Sequence, residues 1–167
     1  MAESFSFDVV SDFDRQELVN TLDQVKREIS QRYDLKGTDT LVELDKENIF
    51  ITTNSELTLN AVNDIIRQKA TKRNLSLKIF DYGEIESVSG NKVKQTILLK
   101  QGIKQEIAKK ISKNIRDQIK KIKINVSING ETLRVSSKSK NDLQLAIKLL
   151  SKLEETLNIP LKANNFR

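Results

Sequence analysis

The same order of predicted elements occurs twice in this chain, and this repeat constrains the fold more than any other feature. A strand-like run, an amphipathic helix, two short strands around a turn, a second helix and a final strand occupy residues 5–81 and again residues 93–167. Each pass is long enough for one βαββαβ sandwich, with helices covering one face of a sheet. The sequence therefore predicts an α+β protein of two ferredoxin-like domains, a fold used more for recognition than for catalysis.

Local patterns support this order in both halves. Phe5–Val10 and Val93–Leu99 alternate like half-buried strands, and residues 15–33 carry apolar side chains at helical spacing. Asn129-Gly130 is a strong signal for a tight hairpin. The passes end in predicted strands at Leu75–Phe80 and Leu161–Phe166.

The segment between the two passes is polar. Residues 81–92 contain two glycines and two serines, a composition typical of a loop. This polar connection is therefore the predicted junction between the domains.

The absence of certain residue types argues against an enzyme and against a metal-binding protein. The chain has no Cys and no His, so it has no thiol chemistry and no imidazole base or metal ligand. No carboxylates are spaced as a metal or acid–base motif, and no phosphate-binding loop motif occurs. The sequence predicts a non-enzymatic protein without cofactor or metal.

The chain has no apolar run of the roughly 20 residues that span a bilayer, and it has no secretory signal. These features predict a cytoplasmic location without membrane contact.

The positive charge is concentrated in one part of the chain. Residues 1–99 hold 13 Lys/Arg and 17 Asp/Glu, whereas residues 100–167 hold 16 and 6. Such an asymmetry indicates an anionic partner, a nucleotide or a nucleic acid. It is equally compatible with a lysine-rich composition that serves solubility.

Four cations recur at spacings of four, three and four along the predicted third helix: Lys109, Lys113, Arg116 and Lys120. They lie on the side away from the isoleucines, where a basic stripe can follow the phosphates of RNA. A solvated helix face is the alternative interpretation.

Other candidate ligand-binding residues lie outside this helix. Arg134 and Lys138 belong to the second hairpin region, and alternation places Arg134 on the sheet face opposite the core, as an anion anchor or an ion-pair partner. Arg32, Lys36 and Gly37 follow the first helix around Tyr33, as a base-and-phosphate cradle or as ordinary C-terminal helix chemistry. Tyr82 can stack on a base or anchor the connection.

With these segments in place, the chain resembles the YajQ family of bacterial nucleotide-binding proteins over essentially its whole length. The resemblance depends on four stretches: SFDVVSDFDRQELVNTLDQVKREISQRYDLKG at 4–37, LKIFDYGEIESVSGNKVKQTILLKQGIKQEIAKKI at 77–111, SINGETLRVSSKSKNDLQLAI at 127–147 and IPLKANNFR at 159–167.

The resemblance implies a particular domain organisation. The two ferredoxin-like domains exchange their first strands, so the first domain comprises residues 12–100, including strand 93–99. The second comprises residues 1–11 plus 101–167, and the polar connection 81–92 becomes part of an intertwined crossing. Pattern alone cannot predict this exchange, because both strands fit either domain.

The resemblance also implies a function: binding of a nucleotide, such as cyclic di-GMP, GTP or ATP, with RNA and protein partners as further expectations. The positions that match family motifs and carry suitable chemistry include the nucleotide-binding candidates Arg32, Lys36, Gly37, Tyr82, Gln95, Arg134 and Lys138. Lys94 and Lys140-Asn141 depart from the Arg and Arg-Asp that the family usually has there. Lysine keeps the charge but loses the bidentate fork of arginine.

Three functional hypotheses follow from the sequence. The first is a regulator that responds to cyclic di-GMP, GTP or ATP. The second is weak, non-specific RNA binding along the basic helix, and the third is an adaptor that binds other proteins. Reading of RNA sequence by paired aromatic residues is not expected, because the predicted third strands hold only Phe50 between them.

Overall fold

A computed structural model describes residues 4–118 and 124–167. The elements in chain order are β1 (Phe5–Val10), α1 (Arg15–Gln31), β2 (Leu41–Leu44), β3 (Asn48–Thr53), α2 (Glu56–Lys72), β4 (Phe80–Tyr82), β5 (Glu86–Val88), β6 (Lys92–Leu99), α3 (Gln105–Gln118), β7 (Asn125–Asn129), β8 (Thr132–Ser137), α4 (Lys140–Leu157) and β9 (Lys162–Asn164). The described residues thus form an α+β protein with four helices and two antiparallel sheets.

The chain divides into two compact units, one continuous in sequence and one not. The middle unit comprises residues 13–100, and the split unit comprises residues 1–12 together with 101–167. The middle unit holds 14 Lys/Arg and 14 Asp/Glu, whereas the split unit holds 15 and 9. The whole net charge of +6 therefore belongs to the split unit.

The sheet of the middle unit has the order β2-β3-β6-β4, with β5 also paired to β6. Alternation sets its faces: Ile49 and Ile51 of β3 and Ile97 of β6 are fully buried, while their neighbours point to the other side. Helices α1 and α2 cover the buried face with their apolar stripes. Asp14 caps α1 and Ser55 caps α2 by accepting hydrogen bonds from the first free backbone N–H groups.

The sheet of the split unit has the order β7-β8-β1-β9. Strand β1 lies between β8 and β9, antiparallel to both, with Phe7 opposite Val135 and Val9 opposite Ala163. Phe7 and Val9 are fully buried against α3 and α4. The hairpin predicted at Asn129-Gly130 is confirmed, since β7 and β8 pair up to Asn129 and Thr132 and Gly130 has a positive φ.

The structure corrects several predicted boundaries. The strand predicted at Leu75–Phe80 is a 3-10 turn at Leu77–Ile79 followed by β4, because the Ser76 hydroxyl accepts the backbone N–H of Lys78 and starts a turn. Helix α1 ends at Gln31 rather than near Tyr33, with Arg32 in an extended conformation. The closing strand is limited to Lys162–Asn164, since Asn165 has a positive φ.

Residues 81–92, predicted as a polar loop, are partly paired. They contain the end of β4 and all of β5, which pairs with β6 across a turn that includes Gly90 at φ +83°. All of them lie inside the middle unit.

Candidate functional site

The basic residues of α3 border a surface groove in the split unit. Lys109, Lys113 and Arg116 line it on one side, together with Ser112 and Asp117, and Val126 and Ile128 of β7 form its other side. Its volume is about 580 Å³, within the usual range for small-molecule sites. We call it the α3 groove. The fourth predicted cation, Lys120, lies outside the described residues.

One hydrogen bond between α3 and β7 gives this groove a defined shape. Arg116 donates from Nη2 to the backbone carbonyl of Val126 at 3.1 Å, which ties the helix to the edge strand. Val126 is buried and Ile128 is exposed, so the strand offers an apolar surface beside the cations. Three cations and an apolar wall suit an anion that also carries a flat apolar part.

Arg134 lies on the helix-free face of the split unit, where it pairs with Asp8. Its Nε donates to Asp8 Oδ1 at 3.1 Å, and Asn165 Nδ2 donates to Asp8 Oδ2 at 3.0 Å. The hydrogen bonds from Asn165 and then from Arg134 hold the pKa of Asp8 below its usual value. The contact with Asp8 is made by Nε of Arg134, not by its terminal nitrogens. Lys138 is exposed just after β8.

Arg32, Lys36 and Gly37 lie together after α1, but Arg32 is already paired. It donates to both carboxylate oxygens of Asp34, at 2.9 and 2.7 Å, and forms an ion pair with Glu28. These contacts, Asp34 first, raise the pKa of Arg32. Tyr33 is 95% exposed, so its ring lies open to solvent.

Lys36 and Gly37 line a pocket of about 310 Å³. Lys26 and Ser30 of α1 line the same pocket, with Ile29, Leu35 and Val42 as its apolar part. The pocket offers two cations, Lys26 and Lys36, whereas the α3 groove offers three. It therefore has less support as a phosphate site than the α3 groove.

Tyr82 and Gln95 lie on the paired strands β4 and β6 of the middle unit, and Gln95 belongs to a buried polar cluster. Gln95 donates to the carbonyl of Gly83 at 2.8 Å and accepts from Asn63 Nδ2 at 2.9 Å. The guanidinium of Arg67 lies 4.9 Å from the centre of the Tyr82 ring. Burial raises the pKa of the Tyr82 hydroxyl. Gln95 faces the helices, so its contacts are internal to the unit.

The candidates thus form separate groups. Lys109, Lys113 and Arg116 share one groove, and Lys36 and Gly37 share one pocket. Gln95 donates to the carbonyl of Gly83, the residue that follows Tyr82. Sequence reasoning did not identify Asn63, Arg67 and Ser112 as neighbours of these sites. The sequence could have indicated Asn63 and Ser112, because each is a polar residue within the apolar stripe of its helix. Both are buried in the structure.

Within residues 4–118 and 124–167, no group of three or more Asp or Glu residues is arranged to hold a metal ion. No helix among these residues is long and apolar enough to cross a membrane.

The described residues form two sheet-and-helix units, which places the chain in the α+β class. The chain matches the family model described as "Nucleotide-binding protein YajQ-like" over residues 5–167, and it belongs to this family, which confirms the resemblance noted in the sequence. It is 92% identical to a "nucleotide-binding protein" of Prochlorococcus marinus (strain MIT 9312) and 57% identical to one of Parasynechococcus marenigrum (strain WH8102). Both alignments cover 100% of each chain.

Proposed function

We propose that this chain is a non-enzymatic protein that binds a nucleotide, with the ligand's phosphates in the α3 groove. The observation that carries the proposal is the set of three cations, Lys109, Lys113 and Arg116, around one groove that also has an apolar wall. The names of the relatives and the charge of the split unit support it. Cyclic di-GMP, GTP and ATP all combine phosphates with a purine and therefore fit this chemistry.

The domain organisation proposed with this function is a pair of ferredoxin-like domains with exchanged first strands. The two strand orders support it, because β1 pairs with β8 and β9 while β6 pairs with β3 and β4. In this arrangement each sheet takes one of its two central strands from the other pass of the repeat.

Replacing two of the groove lysines tests the proposal. We expect the double variant Lys109→Ala/Lys113→Ala to weaken nucleotide binding by about tenfold or more, because each lost charge-assisted contact is worth roughly 1.5 kcal/mol. Isothermal titration calorimetry with cyclic di-GMP, GTP and ATP measures the effect.

The chain offers a matched control on α4. Lys148→Ala/Lys152→Ala removes two exposed lysines with the same spacing from the same unit, and it should leave affinity nearly unchanged. Equal losses in both variants would indicate a general charge effect and would contradict binding in the α3 groove. No heat from any of the three nucleotides would contradict the proposed function itself.

Non-specific RNA binding along α3 is the second candidate function. The observation that favours it is the linear spacing of the same three cations along an open groove. Affinity for single-stranded RNA should then fall steeply with salt and depend little on sequence. A gel-shift salt series with the same two variants measures this. RNA binding that needs Lys109 and Lys113, without any heat from mononucleotides, would favour this second function.

A further inference from the structure

The helix-free face of the middle unit exposes large apolar side chains. Alternation places Leu41 of β2, Phe50 of β3 and Leu98 of β6 on this face. Leu41 is 52% exposed, Leu98 is 41% exposed, and Phe50 is half-buried. Exposed apolar residues that cluster on one face, rather than scatter, indicate an interaction surface.

The corresponding face of the split unit is polar. Phe50 is the third residue of β3 and has Thr96 as its cross-strand neighbour, whereas Arg134 is the third residue of β8 and has Asp8 opposite. The Arg134–Asp8 pair, with Ser6 and Ser136 beside it, makes a face suited to water. The apolar residues of the middle unit are therefore not a requirement of the fold.

The three apolar side chains form a diagonal across three strands. Leu41 is paired with Thr52, which lies two residues after Phe50 on β3. Phe50 is paired with Thr96, which lies two residues before Leu98 on β6. Each of the three side chains is therefore offset by two residues from the next one. Diagonal neighbours in a sheet lie about 7 Å apart. Side chains four residues apart on a helix lie about 6 Å apart. The spacing along one face of a helix is therefore close to the spacing along this diagonal.

Carboxylates border this apolar diagonal on both sides. Glu43 is directly opposite Phe50, and Asp81 is directly opposite Leu98. Glu86 is opposite Lys94, whose ammonium lies 5.2 Å from the centre of the Phe50 ring. Among these four residues, three are carboxylates and one is a lysine, and this excess of negative charge disfavours the phosphates of a nucleic acid.

We propose that the apolar diagonal is the docking surface for a basic amphipathic helix of a partner protein. The apolar stripe of that helix would cover Leu41, Phe50 and Leu98, and its Lys or Arg residues would meet Glu43 and Asp81. This is the helix-in-groove mode of recognition applied to an open sheet face. It adds a helix to the bare side of a two-layer unit, which buries the apolar face as layered folds require.

The test uses a synthetic amphipathic helical peptide of Leu and Lys, and its counterpart with Glu in place of every Lys, added to the full chain. NMR titration should shift the amides of β3 and β6 with the Lys peptide and leave them in place with the Glu peptide. Leu41→Ser/Leu98→Ser should weaken binding of the Lys peptide about tenfold. Glu43→Lys/Asp81→Lys should weaken it as well.

A matched control replaces two exposed leucines elsewhere. Leu57→Ser/Leu145→Ser makes the same chemical change on α2 and α4 and should leave peptide binding unchanged. The proposal is overturned if the Lys peptide does not bind at millimolar concentration, if both peptides bind equally, or if single-stranded RNA shifts the same amides. A fall in sedimenting mass on Leu41→Ser/Leu98→Ser would show that a second copy covers the face, and would overturn it too.

Discussion

Asp8 lies in the middle of β1 and accepts hydrogen bonds from two other segments of the split unit. Arg134 comes from β8, and Asn165 follows directly after β9. A single carboxylate therefore links three neighbouring strands on the helix-free face. Because its pKa is lowered in the folded state, the ionised form stabilises the fold.

This lowered pKa gives a prediction for pH dependence. The contribution of Asp8 is fully present above the unfolded pKa of about 4 and is lost as the pH falls through the lower folded pKa. Asp8→Asn should therefore reduce the free energy of unfolding by about 1 kcal/mol at neutral pH and by less in acid. Urea denaturation at several pH values measures this. Asp23→Asn, an exposed change on α1, is the control, and an equal effect of both variants would contradict the prediction.

The pair of Asn63 and Gln95 allows a double-mutant cycle. Both side chains are buried, at 5% and 6% exposure, and they are joined by the hydrogen bond at 2.9 Å. Either single change to Leu leaves a buried amide without its partner and should cost about 2 kcal/mol. The double variant Asn63→Leu/Gln95→Leu should cost less than the sum of the two single variants. Chemical denaturation measures all three, and strictly additive losses would mean that the two amides do not depend on each other.

At the scale of elements, the edge strand β7 is protected by a side chain of α3. Arg116 binds the Val126 carbonyl of β7, so this edge has one backbone acceptor covered by a cation. Covered or charged edges resist pairing with another strand. The same side chain therefore serves two purposes: it shapes the α3 groove and it shields β7.

Local sequence predicted most helices and strands, but it did not predict the 3-10 turn after Ser76 or strand β5. The alternation of Phe5, Phe7 and Val9 was sufficient to predict β1 and its buried face. The turn at Ser76 was missed because an apolar run favours a strand, while the serine hydroxyl stabilises a 3-10 turn. Strand β5 was missed because its polar residues show no alternation that differs from a loop.

At the scale of the whole molecule, the two units should differ in their ability to fold alone. Residues 13–100 contain the complete middle unit, so this fragment should fold cooperatively. Residues 101–167 lack β1, which supplies Phe7 and Val9 to the core and separates β8 from β9. This fragment should remain unfolded until a peptide of residues 1–12 is added. Circular dichroism and NMR of the two fragments measure the difference, and a folded 101–167 fragment without the peptide would contradict it.

Strand pairing across the molecule could not be predicted from pattern alone. β1 and β6 have similar alternation, so hydrophobic spacing cannot decide which sheet receives which strand. The candidate site was predictable in part: the spacing of Lys109, Lys113 and Arg116 placed them on one helix face, and they do line one groove. Its apolar wall, Val126 and Ile128, comes from another element and depends on the packing of β7 beside α3.

The position of β1 also governs the order of events during synthesis. A ribosome makes β1 first, then the whole middle unit, and only afterwards the strands β8 and β9 that flank β1. The middle unit can fold as soon as residue 100 has emerged, whereas β1 must wait with Phe5, Phe7 and Val9 uncovered. From the synthesis of β1 until β8 and β9 emerge, we therefore expect the nascent chain to carry an unpaired apolar strand, the kind of exposed segment that holding chaperones bind.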